Sequence, residues 1–261
     1  MSTRAAVAPL PTGPIAADDE GAAPPVVELV GVSRAYAGDP PVHALRGVDL
    51  TIASGEWVAI VGPSGSGKST LLNVIGLLDR QTSGAYRLGG ADVGALDDDA
   101  RTFLRGARIG FVFQAFHLLA HRSVLENVML AELYCGAPRR GRRERALAAL
   151  ARVGLADRAG FVPTRLSGGE KQRAAIARAV VGEPRLLLCD EPTGNLDSRH
   201  ADGVLDLFGE LSADGLTLAV ITHDDHVASR AHRHVRMVDG VLTGVDDGWA
   251  PEGRQRPRRA G

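Results

Sequence analysis

Eight consecutive residues have the types and spacing of a phosphate-binding loop. They match the pattern G-x-x-x-x-G-K-[ST] at every fixed position and are Gly62, Pro63, Ser64, Gly65, Ser66, Gly67, Lys68 and Ser69. The glycines let the backbone curl so that its N–H groups point at phosphate oxygens. Lys68 would then reach the β- and γ-phosphates, and the Ser69 hydroxyl is a ligand for Mg²⁺. The segment through Thr70 is therefore predicted to bind a nucleotide with magnesium.

Two acidic residues directly follow an apolar run at residues 186–189. Asp190 is predicted to hold Mg²⁺ through water, as an acid at the end of such a strand does in other phosphate-loop enzymes. Glu191 is placed to orient or deprotonate an attacking water. An acidic pair on the surface is the alternative, but the apolar run is typical of a strand buried in a sheet. The residues thus favour hydrolysis of a nucleotide, with Lys68 and Glu191 as catalytic groups.

The phosphate loop requires a strand before it and a helix after it, and the sequence predicts both. Residues 57–61 are apolar between two glycines, and Leu71, Leu72 and Ile75 recur at helical spacing. Further strands are predicted at 26–36, 48–52, 109–113, 185–189 and 217–222, a hairpin over 235–242, and helices at 95–108, 123–134 and 140–153. Strands come first and last with mostly helices between them, which predicts a nucleotide-binding α/β core interrupted by a helical subdomain.

Composition restricts the class of protein. The 261 residues are 44% hydrophobic and carry a net charge of −1 at pH 7, which favours a globular core and argues against a nucleic-acid partner. No apolar run approaches the roughly 18 residues of a spanning helix. The N-terminal residues 1–25 lack the pattern of a secretory signal, so they and residues 248–261 are predicted to be disordered cytosolic tails.

Cysteine and lysine are both rare. Cys135 and Cys189 lie in different contexts and are predicted to be reduced, buried thiols. Of 30 basic residues only Lys68 and Lys171 are lysine, so each is a candidate for a task that arginine cannot perform. The arginines within residues 139–145 could touch anionic lipid or nucleic acid, but a solvated helix face is the preferred interpretation.

A second motif, Leu-Ser-Gly-Gly-Glu-Lys-Gln-Arg at residues 166–173, resembles the signature of the ABC (ATP-binding cassette) ATPase family. Ser167, Gly168 and Gly169 would open a helix whose N–H groups form another anion site. In the family this site grips the γ-phosphate held by the other subunit, so the resemblance implies that these residues and Glu170 bind ATP across a dimer. Glu170 stands where relatives commonly have Gln, a departure that should be tolerated.

Four more positions fall in the order of that family. Gln114 resembles the residue that touches magnesium and relays to a membrane subunit, although a Gln after a strand is often structural. Asp197 resembles the aspartate that crosses the dimer interface. His223 resembles the catalytic switch histidine at the γ-phosphate. Tyr36 lies where an aromatic ring stacks on adenine, with packing as its alternative role.

The resemblance implies a phosphate-loop RecA-like core with an N-terminal antiparallel β subdomain and an inserted helical subdomain at about 115–180, within a domain spanning 26–247. Its expected partners are a second copy and an integral-membrane permease with an external domain, docked near Phe116, Leu118 and Leu119. The chain is then cytoplasmic, on the inner face of the plasma membrane. Residues 71–79, 124–128 and 192–197 look typical of the lipoprotein-releasing, macrolide-exporting and peptide-resistance branch.

Three other functions remain open. Soluble ABC ATPases of DNA repair carry coiled-coil insertions, and those of translation carry two cassettes, whereas this sequence has one phosphate loop and one signature. A phosphate-loop kinase or GTPase would leave the signature unexplained. A scaffold that binds ATP without hydrolysing it is separated from an ATPase only by measuring turnover.

Overall fold

A computed structural model of the chain describes residues 24–133 and 137–246. Strands in these residues are β1 (Val27–Tyr36), β2 (Val42–Ile52), β3 (Trp57–Val61), β4 (Ser83–Leu88), β5 (Ala91–Asp92), β6 (Ile109–Phe113), β7 (Leu186–Asp190), β8 (Thr217–Thr222), β9 (Arg233–Val238) and β10 (Val241–Asp246). Helices are α1 (Lys68–Ile75), α2 (Asp98–Arg108), α3 (Val124–Ala131), α4 (Arg142–Arg152), α5 (Gly168–Val180), α6 (Ser198–Ala213) and α7 (Asp225–Ser229), with short 3₁₀ turns at Ala156–Arg158 and Pro163–Arg165.

A six-stranded sheet in the order β10-β9-β3-β8-β7-β6 carries the loops of interest. The strands from β9 to β6 are parallel to their neighbours, and β10 closes the edge as the antiparallel partner of β9. Both faces of a parallel sheet are covered, which explains why β3, β7 and β8 are almost continuously apolar and buried. The predicted α/β fold is confirmed.

The second sheet is antiparallel, in the order β2-β1-β4-β5. Its inner face packs on α1, and Tyr86 of β4 donates a hydrogen bond to the Ile75 carbonyl over 2.7 Å. The sequence predicted only the last part of β2 and missed β4 and β5. The residues of β4, Ser-Gly-Ala-Tyr-Arg-Leu, are mostly small or polar, so pairing with β1 rather than a local pattern makes them a strand.

The helices α3, α4 and α5 lie between β6 and β7 in the chain. The start of α3 agrees with the helix predicted from residue 123, and Ser123 and Glu126 form a reciprocal capping box there. It ends at Ala131, earlier than predicted, and α4 starts at Arg142 rather than at 140 because Gly141 is in the left-handed conformation.

Two arginines of the basic run at 139–145 bind a buried glutamate. Glu132 is fully buried and pairs with Arg145 over 2.5 Å and with Arg142 over 3.5 Å. A buried carboxylate needs such cations, so the interpretation of the whole run as a solvated face was wrong for these two arginines. They join the end of α3 to α4.

The structure describes one of the two cysteines and, of the predicted tails, only residues 24 and 25. Cys189 is a free, buried thiol whose pKa is raised by burial and by the neighbouring charge of Asp190. Cys135 and residues 1–23 and 247–261 lie outside the described residues. Within the described ranges, no helix has both the length and the apolarity needed to cross a membrane.

Candidate functional site

Four neighbouring parallel strands bring the chemical groups to one edge of the large sheet. Val61 pairs with Thr222, Asp190 pairs with Ile221, and Phe113 pairs with Asp190, so the carboxyl ends of β3, β8, β7 and β6 are level. The residues that follow these ends are the phosphate loop, His223, Glu191 and Gln114. The pairing register therefore gathers residues that are up to 161 positions apart in sequence, from Gly62 to His223.

The phosphate loop connects β3 to α1 and packs tightly against its surroundings. A Cβ on Gly62 would lie 2.1 Å from the carbonyl oxygen of Met237, and one on Gly67 would lie 2.4 Å from that of Ala44. Gly67 also caps α1 in the left-handed conformation without a side-chain hydrogen bond. The first turn of α1 contains no acid, so the positive end of this helix is available to an anion.

Lys68 is held inside the loop. It is 9% exposed, and its Nζ donates to the carbonyl oxygens of Gly62 over 2.7 Å and Pro63 over 2.9 Å. The Ser66 hydroxyl is buried without a hydrogen-bond partner. An ammonium and an unpaired hydroxyl beside free N–H groups form a site that suits phosphate oxygens.

Glu191 is fixed at the end of β7. Its backbone has a φ of 46°, and its N–H donates to the Ile221 carbonyl over 2.9 Å. One carboxylate oxygen accepts from the Thr222 hydroxyl over 3.2 Å, and the other lies 2.7 Å from His223 Nδ1. A left-handed glutamate is uncommon and aims this carboxylate at the edge of the sheet.

Asp190 has an environment that favours a cation. Burial and the charge of Glu191 raise the pKa of its carboxyl, while the charge of Lys68 lowers it. The described residues hold no cluster of three His, Cys, Asp or Glu side chains, so a metal here needs other ligands. The Ser69 hydroxyl, the Gln114 amide oxygen and the Asp190 carboxylate are hard oxygen donors, and these residues fit Mg²⁺ completed by phosphate and water.

The His223–Glu191 pair gives a pH-dependent signature. The hydrogen bond and charge of Glu191 raise the pKa of His223 above its ordinary value of about 6.5. In an NMR titration of the imidazole C–H signals, His223 should therefore lose its proton above that pH, and Glu191→Gln should move the midpoint down because the neutral amide stabilises the imidazolium less. The control is Glu210→Gln, at an exposed position of α6. Equal His223 midpoints in the wild type and the Glu191 variant would contradict the pair.

Gln114 contacts the loop that follows Glu191. The Asn195 amide nitrogen donates to the Gln114 carbonyl over 2.9 Å, and the side-chain amides of the two residues are 3.4 Å apart. A Cβ on Gly194 would lie 2.8 Å from the Gln114 amide nitrogen. The side chain is exposed, so Gln114 can reach a ligand and is not a buried structural residue.

The signature motif is a complete helix start at the beginning of α5. The Ser167 hydroxyl accepts from the Glu170 N–H over 3.2 Å, and the Glu170 carboxylate accepts from the Ser167 N–H over 2.8 Å. The capping box of α5 is therefore complete with a glutamate at this position. Gly168 and Gly169 face Leu196 and His200, and Ser167 is exposed. None of these contacts is with the phosphate loop.

Asp197 caps α6, and Tyr36 lies beside the phosphate loop. The Asp197 carboxylate accepts from the His200 N–H over 3.0 Å and lies 2.7 Å from the ring Nδ1 of His200. Tyr36 pairs with Val42, two residues from Ala44, whose carbonyl packs on the loop. Tyr36 is 36% exposed, so a ligand can reach this residue.

Sequence reasoning missed two contributors at this edge. The Thr222 hydroxyl donates a hydrogen bond to Glu191. The His200 ring contacts the Asp197 carboxylate and also packs next to Gly169 of the signature motif. The end of a predicted strand just before His223 could have indicated Thr222. The spacing of three residues from a capping aspartate could have indicated the His200 backbone contact.

Comparison with known proteins places these features together in one family. A family model described as ABC transporter matches residues 45–194. The macrolide export ATP-binding/permease protein MacB of Nitrobacter winogradskyi is 50% identical over 230 residues, covering 88% of this chain and 36% of the relative. The pyoverdine export ATP-binding/permease protein PvdT of Pseudomonas entomophila is 50% identical over 220 residues, covering 84% and 34%. The chain spans about a third of the length of these curated relatives.

Solved structures share the fold. The dimeric bacterial ABC transporter cassette MJ0796 is 40% identical with a TM-score of 0.77, covering 86% of this chain and 99% of that one. A post-hydrolysis dimer of the same cassette bound to ADP and Pi gives the same values. The cbiO1 subunit of a cbiONQ transporter from Clostridium perfringens is 28% identical with a TM-score of 0.78, covering 86% and 89%.

Proposed function

The chain belongs to the ABC transporter family, and we propose that it binds and hydrolyses ATP as one half of a dimer that drives a membrane permease. The division into a cassette at 26–247 with a helical insertion at about 115–180 is part of this proposal. The relatives named as export proteins combine an ATP-binding part and a permease. The chain corresponds to about a third of their length.

One observation carries the proposal: the chain has two helix starts suited to phosphate, and the described contacts of one do not include the other. Lys68 and the start of α1 form the first, and Ser167 at the start of α5 forms the second. Ser167 is exposed, and the two glycines after it face Leu196 and His200 rather than the phosphate loop of the same chain. A second copy related by two-fold symmetry can supply the missing half twice, which suits the dimeric state of the MJ0796 cassette.

The reaction follows from the groups at the sheet edge. Lys68 neutralises charge on the β- and γ-phosphates, and Ser69, Gln114 and Asp190 would hold Mg²⁺, which shields phosphate charge when bound. Glu191 accepts a proton from water as the water oxygen attacks the γ-phosphorus, and the bond to the β–γ bridging oxygen breaks to give ADP and phosphate. Thr222 orients Glu191, while His223 leaves its bond to Glu191 to contact the γ-phosphate.

A groove between α2, β6, α3 and α5 suits the permease. It has a volume of about 410 Å³ and is lined in part by Phe111, Phe113 and Ala131. Leu78, which lines the groove, is 50% exposed, and an apolar helix of a partner would remove this apolar surface from water. This groove is the proposed dock for a cytoplasmic segment of an integral-membrane permease with an external domain, which would hold the chain at the inner face of the plasma membrane. The groove is closer to β6 than is the docking site predicted from the sequence, which was at Phe116, Leu118 and Leu119.

Mixing two inactive variants tests the composite site. Lys68→Ala removes the first half, and Ser167→Asp keeps the cap of α5 but places a negative charge against the γ-phosphate. Each variant alone should lack ATP turnover. In an equimolar mixture, half of the dimers are mixed and each has one intact site, so phosphate release should return to roughly a quarter of the wild-type rate.

The neutral Ser167→Asn variant is the control, since it keeps both the cap and the charge balance. Its partial activity would show that the aspartate acts through charge rather than through unfolding of α5. An inactive mixture of folded chains that stay monomeric with ATP would contradict the proposed dimer.

A further inference from the structure

Tyr36 belongs to a cluster of three side chains that the proposed reaction does not use. The Arg34 guanidinium stacks over the tyrosine ring at 4.4 Å from the ring centroid. It also binds Asp79 through two nitrogens, Nε over 2.9 Å and a terminal nitrogen over 2.8 Å. The Tyr36 hydroxyl donates to the same carboxylate over 2.8 Å. The tyrosine is thus held both at its ring face and at its hydroxyl.

Asp79 connects this cluster to the helix that follows the phosphate loop. Its N–H donates to the Asn73 carbonyl of α1 over 3.1 Å, and its own carbonyl accepts from Arg101 of α2 over 2.7 Å. Burial raises the pKa of the Asp79 carboxyl, but the Tyr36 hydroxyl, the Arg80 N–H and Arg34 together lower it below its ordinary value. The carboxylate therefore stays charged and fixed to the element that starts at Lys68.

The face of the Tyr36 ring that Arg34 does not cover lies where a nucleobase could stack on it. Arg34 and Tyr36 are two residues apart on β1 and so lie on the same side of the strand. Arg34 covers one face of the ring, and Tyr36 as a whole residue remains 36% exposed. Val42 pairs with Tyr36, and Ala44, whose carbonyl packs on Gly67, is only two residues further along β2. A step of two residues along β2 therefore separates the strand partner of Tyr36 from the residue that packs on the phosphate loop.

We propose that Arg34 and Asp79 are positioning residues that fix the Tyr36 ring for stacking on the nucleobase, with the Arg34 cation on the opposite face. This inference rests on the proposed ATP binding. A ring fixed before binding loses less freedom when the base arrives, which tightens the complex. The planar guanidinium is suited to this role because it stacks and pairs with a carboxylate at once, which the lysine ammonium does not do.

Steady-state ATPase kinetics of matched variants test the proposal. Arg34→Ala should raise the KM for ATP about threefold to fivefold, the size of one cation–π contact, and change kcat by less than about twofold. Asp79→Asn should act in the same direction, and Arg34→Lys should restore part of the loss. The control is Arg87→Ala, because Arg87 pairs with Glu28 over 2.9 Å between strands of the same sheet without touching the tyrosine, and its KM should equal that of the wild type.

A double variant separates positioning from a general structural role. If Arg34 acts through the ring, Arg34→Ala should add nothing to the KM of Tyr36→Ala. A wild-type KM in folded Arg34→Ala, or a rise that persists in the Tyr36→Ala background, would overturn the inference. Should Arg34→Ala not fold, Arg34→Lys and Asp79→Asn give the same comparison. Failure of the proposed function is distinct, because then the wild-type protein itself would neither bind nor hydrolyse ATP.

Discussion

Glu191→Gln lowers ATP turnover by about two to four orders of magnitude, the range ascribed to loss of a positioned general base. Glutamine keeps the size of the side chain and can still bind Thr222, but it cannot accept a proton from water. The groups that hold the phosphates are untouched, so ATP should still bind. Because hydrolysis no longer removes the bridging γ-phosphate, the ATP-bound dimer should accumulate.

Phosphate release and light scattering with Mg²⁺-ATP measure the two effects on one sample. Glu210→Gln, at an exposed position of α6, is the matched control and should behave as the wild type. Near wild-type turnover in the Glu191 variant would remove this residue from the reaction. A variant that binds ATP but remains monomeric would exclude the two-chain site.

Lys68→Ala should weaken ATP binding by about a hundredfold or more. The substitution deletes a buried cation that a nucleotide meets beside the start of α1, and charged hydrogen bonds of this kind contribute about 1.5–3 kcal/mol each. It also removes the positive charge that favours the ionised form of Asp190, so the affinity for the metal falls as well.

Titration calorimetry with Mg²⁺-ATP measures this loss, and thermal unfolding shows whether the variant is folded. Lys68→Arg is the instructive comparison. It keeps the charge, but the planar guanidinium is too large for a slot in which Nζ lies within 2.9 Å of two carbonyl oxygens, so it should also bind poorly. Wild-type affinity in Lys68→Arg would mean that charge alone matters and that the rarity of lysine in this chain has no functional reason.

Local patterns predicted much of the large sheet. The apolar runs of β3, β7 and β8 are readable because a parallel strand is buried on both faces, so its residues are apolar without interruption. The starts of α3 and α5 are readable because a capping box is a contact between residues three positions apart. The prediction failed for β4, whose residues carry no strand pattern of their own.

What the sequence by itself determined was which chemical groups are present and which strand end or helix start carries each of them. Only the tertiary structure decided which groups meet: Glu191 with Thr222 and His223, Gln114 with Asn195, and Tyr36 with Asp79 across 43 positions. The physical reason is the distance along the sequence between the residues that determine each feature. Backbone conformation follows from neighbours within a turn or a strand, whereas these contacts depend on the register of strand pairing and on packing of distant segments, which no short pattern of residues records.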